Sequence, residues 1–153
     1  MTTLDEVLSH MMTYRTQDEI EGLVKEFENG TLSRCEWTHT AHLTIALWYS
    51  LKHSFPKNVE LICHGIQAYN AAQGIESTLT SGYHETITLF WIFTTQKFLS
   101  SVGIHDAALI LMNQFIHQYS NPKLVFDYYS RDVLFSATAR TRWVEPNLKS
   151  LTS

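Results

Sequence analysis

The stretch Tyr83-His84-Glu85-Thr86-Ile87-Thr88-Leu89-Phe90-Trp91-Ile92-Phe93-Thr94-Thr95-Gln96-Lys97-Phe98-Leu99 decides the fold class. Two periodicities compete in it. Ile87, Leu89, Trp91 and Phe93 alternate with Thr86, Thr88 and Thr94, and both residue types favour a strand. Ile87, Phe90, Trp91, Thr94 and Phe98 instead fall on one face of a helix. The run from His84 to Leu99 is longer than a typical strand, so length settles it as a buried helix.

With that segment helical, no convincing strand remains. The expected class is all-α: a single-domain irregular bundle of six to seven helices over residues 1–153, ending in a tail of short turns from residue 130. Leu4 to Met12 has helical spacing at Leu4, Val7, Leu8 and Met11. Thr16-Gln17-Asp18-Glu19 reads as a capping box, opening a helix with the stripe Ile20, Leu23, Val24 and Phe27. Gly30 closes that helix in the left-handed position. The third helix runs from His39 to Lys52 behind Thr38 as N-cap, with Leu43, Leu47 and Leu51 inward and Ile45 and Trp48 widening the stripe. Pro56 breaks the chain after it. A fourth helix from Lys57 turns Val59, Ile62, Cys63, Ile66 and Tyr69 inward, and Gly74 to Gly82 is a polar loop. The His84–Leu99 helix is fifth, Ile104 to Gln118 sixth, and Asn121-Pro122 opens the seventh. In the tail, Ser130 and Ser136 cap single-turn pieces, Pro146 stops the last one, and Trp143 staples the tail to the bundle.

Composition narrows the function classes. A formal charge of −4 with no basic run gives no phosphate-binding surface, so a nucleic-acid partner is not expected. The longest apolar stretch, Ile87 to Phe93, is interrupted by Thr88 and too short to span a bilayer. No basic-then-apolar leader opens the chain, and Cys35 and Cys63 lack a C-x-x-C spacing. These features point to a soluble cytoplasmic protein with reduced thiols and no membrane partner.

The candidate chemistry lies in histidines at helix starts. In Trp37-Thr38-His39-Thr40-Ala41-His42-Leu43, two imidazoles fall in one first turn, three residues apart. His84-Glu85 opens a second apolar helix. The positive end of the helix dipole keeps such imidazoles neutral, the form that ligates a metal or acts as a base. One reading is a divalent zinc or iron site, with His39, His42 and His84 as ligands and Glu85 or Glu36 as fourth ligand or base. His84-Glu85-Thr86-Ile87-Thr88 does not complete an H-E-x-x-H motif, because Thr88 stands at the second histidine position. A second reading is a metal-free pocket between the third and fifth helices, walled by Tyr83, Trp48 and Trp91. There the histidines would bind a small polar or anionic ligand, Glu85 would serve as base and Arg131 would clamp an anion. A third is a helical interaction module that pairs as a homodimer. The bland alternative has His39 and His42 bonding loop carbonyls, His84 partly buried and held by a threonine or the backbone, Arg131 paired with Asp127 or Asp132, and Arg140 and Arg142 solvated or locking the tail.

Three segments resemble a family of small uncharacterised all-helical bacterial proteins. They are Trp37-Thr38-His39-Thr40-Ala41-His42-Leu43, Tyr83-His84-Glu85-Thr86-Ile87-Thr88, and Tyr129-Ser130-Arg131 through Leu134-Phe135-Ser136 and Trp143-Val144-Glu145-Pro146. The likeness spans roughly residues 20 to 148. It implies an α-helical fold and a site shared by those three segments, without implying a reaction.

Overall fold

Residues 12–104 and 106–152 are described in the computed structural model. They form helices α1 (Gln17–Asn29), α2 (His39–Lys52), α3 (Lys57–Ala72), α4 (Glu85–Val102) and α5 (Ala108–Gln118). Three short helices follow, α6 (Val125–Tyr128), α7 (Arg131–Leu134) and α8 (Ala137–Thr141). No strand occurs among the described residues, and the fold is all-α. The helix expected over Leu4 to Met12 falls almost wholly outside the described residues.

Threonine chemistry explains why α4 is helical despite its strand-like composition. The hydroxyls of Thr88, Thr94 and Thr95 each donate to the carbonyl four residues back, at 2.8 Å, on His84, Phe90 and Trp91. Each polar group is thereby satisfied inside its own helix, which lets the segment lie in apolar surroundings. Leu89, Phe90, Trp91, Ile92 and Phe98 are all buried. A helix enclosed on most sides shows no clean amphipathic stripe, which is why its sequence reads both ways.

The centre of the bundle is α2, which packs against α1, α3, α4 and α5. Leu43, Thr44, Ile45 and Leu47 are fully buried around its circumference. The Thr44 hydroxyl donates to the Thr40 carbonyl and also meets the Tyr14 hydroxyl at 2.9 Å.

Two boundaries differ from the sequence expectation. Helix α5 begins at Ala108 instead of Ile104: Gly103, at φ 76°, closes α4, and Ile104 is 61 % exposed and outside the core. The last helix ends at Thr141, where Arg142 turns extended, five residues before Pro146. The tail packs on the bundle. Tyr129 is fully buried and donates to the Val144 carbonyl at 2.6 Å, while Trp143 lies edge-on to Phe93 and Tyr129. Ser130 and Ser136 cap α7 and α8 through the N–H groups of Val133 and Ala139.

Asn113 ties the start of the described chain to α5. Its Oδ1 accepts the N–H groups of Thr13 and Tyr14, and its Nδ2 donates to the Tyr14 carbonyl, each at 2.9 Å. Asn113→Ala leaves three backbone groups without these partners and should lower unfolding free energy by about 3 kcal/mol in urea titration. Asn113→Asp should cost more, since it turns the donor into an acceptor beside the Tyr14 carbonyl.

Candidate functional site

The start of α2 is fixed by Thr38, whose Oγ1 accepts the Ala41 N–H at 3.2 Å. His39 and His42 share that first turn, yet their rings part. Nε2 of His39 bonds the Tyr119 carbonyl at 2.8 Å, and the ring meets Trp91 edge-on at 4.7 Å between centroids. Tyr119 is the C-cap of α5, so its carbonyl lies at the helix end that lacks intrahelical partners. His42 curls back instead. Its Nδ1 bonds the Thr38 carbonyl at 2.8 Å, and its ring covers Trp37 at 3.8 Å. A carbonyl accepts only from N–H, so His39 carries its proton on Nε2 and His42 on Nδ1. His42 therefore keeps its lone pair at Nε2.

His84 is the N-cap of α4, a place usually held by a shorter polar side chain. Its Nδ1 accepts the Ile87 N–H at 3.1 Å, and its Nε2–H donates to the Leu134 carbonyl at 2.7 Å. Both ring nitrogens are engaged, and no lone pair remains for a metal. Among the described residues, no group of three or more His, Cys, Asp or Glu is gathered closely enough to hold a metal ion.

His42 and His84 line one cleft of about 350 Å³ between α2, α3 and α4, while His39 stands outside it, behind Trp91. Trp37, Ile62, Ile66, Ile87, Trp91 and Ile92 supply its apolar wall. The remaining polar lining comes from Asn70, Tyr83 and Thr88, and no charged side chain lines the cleft. The Tyr83 hydroxyl donates to Glu85 and the Thr88 hydroxyl to the His84 carbonyl, both at 2.8 Å. Among the described residues lining this cleft, no hydrogen bond is made by Nε2 of His42, by the side-chain amide of Asn70 or by the indole N–H groups of Trp37 and Trp91.

Burial sets the protonation states. It holds His42 down at about 4, against the opposing pull of the Thr38 carbonyl. It also lowers His39 and His84, the latter with help from the Arg140 charge. The hydroxyl of Tyr83 is pushed up, first by burial and then by Cys63 and Glu85. All these groups are neutral at pH 7.

Four other expected site residues lie away from this cleft. Trp48 is half-buried on α2, with the Lys52 ammonium 4.6 Å from its ring centroid. Arg131 is exposed and stacks over Phe126 at 4.5 Å, in place of the expected pairing with Asp127 or Asp132. Glu85 points to a second cleft of about 470 Å³, which it lines with Gln67, Ser77, Thr78 and Arg140. Glu36 is exposed. Tyr83 lines both clefts.

Sequence reading passed over Asn70, and it took Arg140 as solvated or locking the tail, without placing it at a cleft. For Asn70 a signal exists: Ile62, Ile66 and Asn70 follow at four-residue intervals, so a polar residue closes an apolar row that must face inward. For Arg140 there is none, because its neighbours Gly82 and Tyr83 are distant in sequence. No family model, no curated protein and no solved structure matches the chain. Among the described residues, no helix is long and apolar enough to cross a membrane.

His84→Leu removes both ring bonds and should cost about 3 kcal/mol in urea unfolding. His84→Asn restores a cap acceptor but not the reach to Leu134, and should recover about 1 kcal/mol of that loss. The histidine shifts also set an acid limit. Between pH 6.5 and about 4, the unfolded chain takes up protons that folded His42 refuses. Stability should be full above pH 6.5 and fall as the pH drops toward 4, by at most ~3 kcal/mol from this residue. Urea midpoints from pH 7 to 4.5 test this, and His42→Leu should flatten the slope.

Proposed function

We propose that the cleft between α2, α3 and α4 binds a small, neutral, largely apolar molecule carrying one hydrogen-bond donor. The observation that carries this reading is the lining itself. Two indoles and five isoleucines surround a single imidazole whose lone pair is unengaged, with no charged side chain in the lining. The volume suits a ring-sized ligand, at the small end of the roughly 300–1,000 Å³ of small-molecule sites. An anion is disfavoured, because no cation lines the cleft and His42 stays neutral.

Binding fits better than catalysis. A general base works best when its pKa lies near the operating pH, and burial has taken His42 well below that. The formal charge of −4 supports a small-molecule partner over a nucleic acid. The reading takes the protein as a cytoplasmic chain whose pocket needs no second copy. The likeness of its three segments to the bacterial family supports a shared site, since two of them contribute Trp37, His42, Tyr83 and His84 here.

Isothermal titration at pH 7 with indole, benzofuran and benzoate tests the reading. Indole presents an N–H, benzofuran has the same shape without it, and benzoate is an anion. Indole should bind about tenfold tighter than benzofuran, the value of one hydrogen bond, and benzoate should give no heat. His42→Leu should erase the preference for indole. In the unaltered protein that preference should hold down to pH 6 and fade as the pH approaches 4, where Nε2 takes a proton. Absence of indole binding, or an unchanged preference in His42→Leu, overturns the proposal.

A further inference from the structure

The two clefts share the Tyr83 wall and the loop between α3 and α4. Ile75 and Gly82 from that loop face the apolar cleft, while Ser77, Thr78 and Leu79 border the second. Their characters are opposite: the first has no charged lining, the second holds one carboxylate and one guanidinium.

Neither of those charges is neutralised. Glu85 sits in the first turn of α4, where the helix dipole favours a negative charge. Its Oε2 accepts the Tyr83 hydroxyl at 2.8 Å and its Oε1 lies 4.0 Å from the Cys63 thiol, both neutral donors. Nη1 of Arg140 reaches the Gly82 and Tyr83 carbonyls at 3.4 Å, longer than a strong hydrogen bond, and its Nε is buried without an acceptor. Among the described residues, the one ion pair is Lys57–Glu60, so Glu85 and Arg140 do not pair with each other. A carboxylate and a guanidinium lining one cleft without countercharges are the complement of a molecule that carries both signs.

We infer that an aromatic amino acid spans the two clefts across Tyr83, with its ring between Trp37 and Trp91 and its zwitterionic head between Arg140 and Glu85. The inference rests on the ring-binding reading above and names the ligand class for it. The planar fork of Arg140 takes the α-carboxylate, and the α-ammonium lies toward Glu85. A carboxylate that draws Arg140 off its two long carbonyl contacts also gives Nε an acceptor. Among the aromatic side chains, indole supplies the N–H that Nε2 of His42 lacks a donor for.

Isothermal titration with L-tryptophan, tryptamine, indole-3-propionate and indole at pH 7 separates head from ring. Tryptophan should bind at least tenfold tighter than indole, with tryptamine and indole-3-propionate between them. In Arg140→Gln the tryptophan-to-tryptamine affinity ratio should fall about tenfold, and in Glu85→Gln the tryptophan-to-indole-3-propionate ratio should fall likewise. Arg140→Lys keeps the charge without the fork and should fall between, which covers the case of a poorly folded glutamine variant. Equal affinity for tryptophan and indole in the unaltered protein overturns the amino-acid assignment while the ring cleft stands. Ratios unchanged in both glutamine variants overturn it too. Failure of indole and tryptophan alike overturns both readings.

Discussion

One imidazole holds the start of α4 and the tail together. His84 caps α4 through Nδ1 and bonds the Leu134 carbonyl through Nε2–H, so a single ring fixes two backbone segments fifty residues apart. The neutral form is required. An imidazolium would turn Nδ1 into a donor facing the Ile87 N–H, another donor. A metal on Nδ1 would compete for the same lone pair. Beside this ring, the Thr86 hydroxyl donates to the Arg142 carbonyl at 2.9 Å and accepts the Val144 N–H at 3.2 Å. These bonds set where Arg140 stands relative to the first turn of α4, and therefore the geometry of the second cleft.

The pair on α2 divides its work differently. His39 is a brace: it satisfies the end of α5 and supports the edge of Trp91. His42 turns away to its own N-cap residue and lies over Trp37, which leaves its Nε2 unbonded on a residue that lines the cleft. Two residues in one turn thus act on two neighbours, α5 and the cleft. Spacing of three along a helix brings Cβ atoms together but leaves the rings free to diverge, and the nearest unsatisfied carbonyl decides where each one goes.

The helices were legible where local chemistry marks them. Thr16, Thr38, Ser130 and Ser136 all cap the helices their positions announced, and Gly30 ends α1 at φ 73°. The α4 segment was legible only through its length, because its threonines satisfy themselves by bonds that leave no trace in composition. The site was legible in part. Histidines at helix starts were visible as residues, but their partners, the carbonyls of Tyr119 and Leu134, belong to segments 80 and 50 residues away. Arg131 stood out by its place in a recognisable segment, yet it stacks on Phe126, while Arg140, nine residues on, enters a cleft. A four-residue helix followed by a five-residue one rotates side chains by amounts that sequence spacing does not reveal.

Glu85 and Arg140 do not pair with each other, and both contact Tyr83. Its hydroxyl goes to Glu85 at 2.8 Å, and its carbonyl lies 3.4 Å from Nη1 of Arg140. The tyrosine is thus held at two ends by opposite charges, and it lines both clefts as the wall between them. The grip is uneven: the hydroxyl bond is short and charge-assisted, while the carbonyl contacts are long. A bound carboxylate therefore has a weak competitor at Arg140, and a bound ammonium shares Glu85 with a hydroxyl instead of displacing a cation. Head and ring of one ligand can then be held on either side of Tyr83 without breaking the bond that keeps the partition in place.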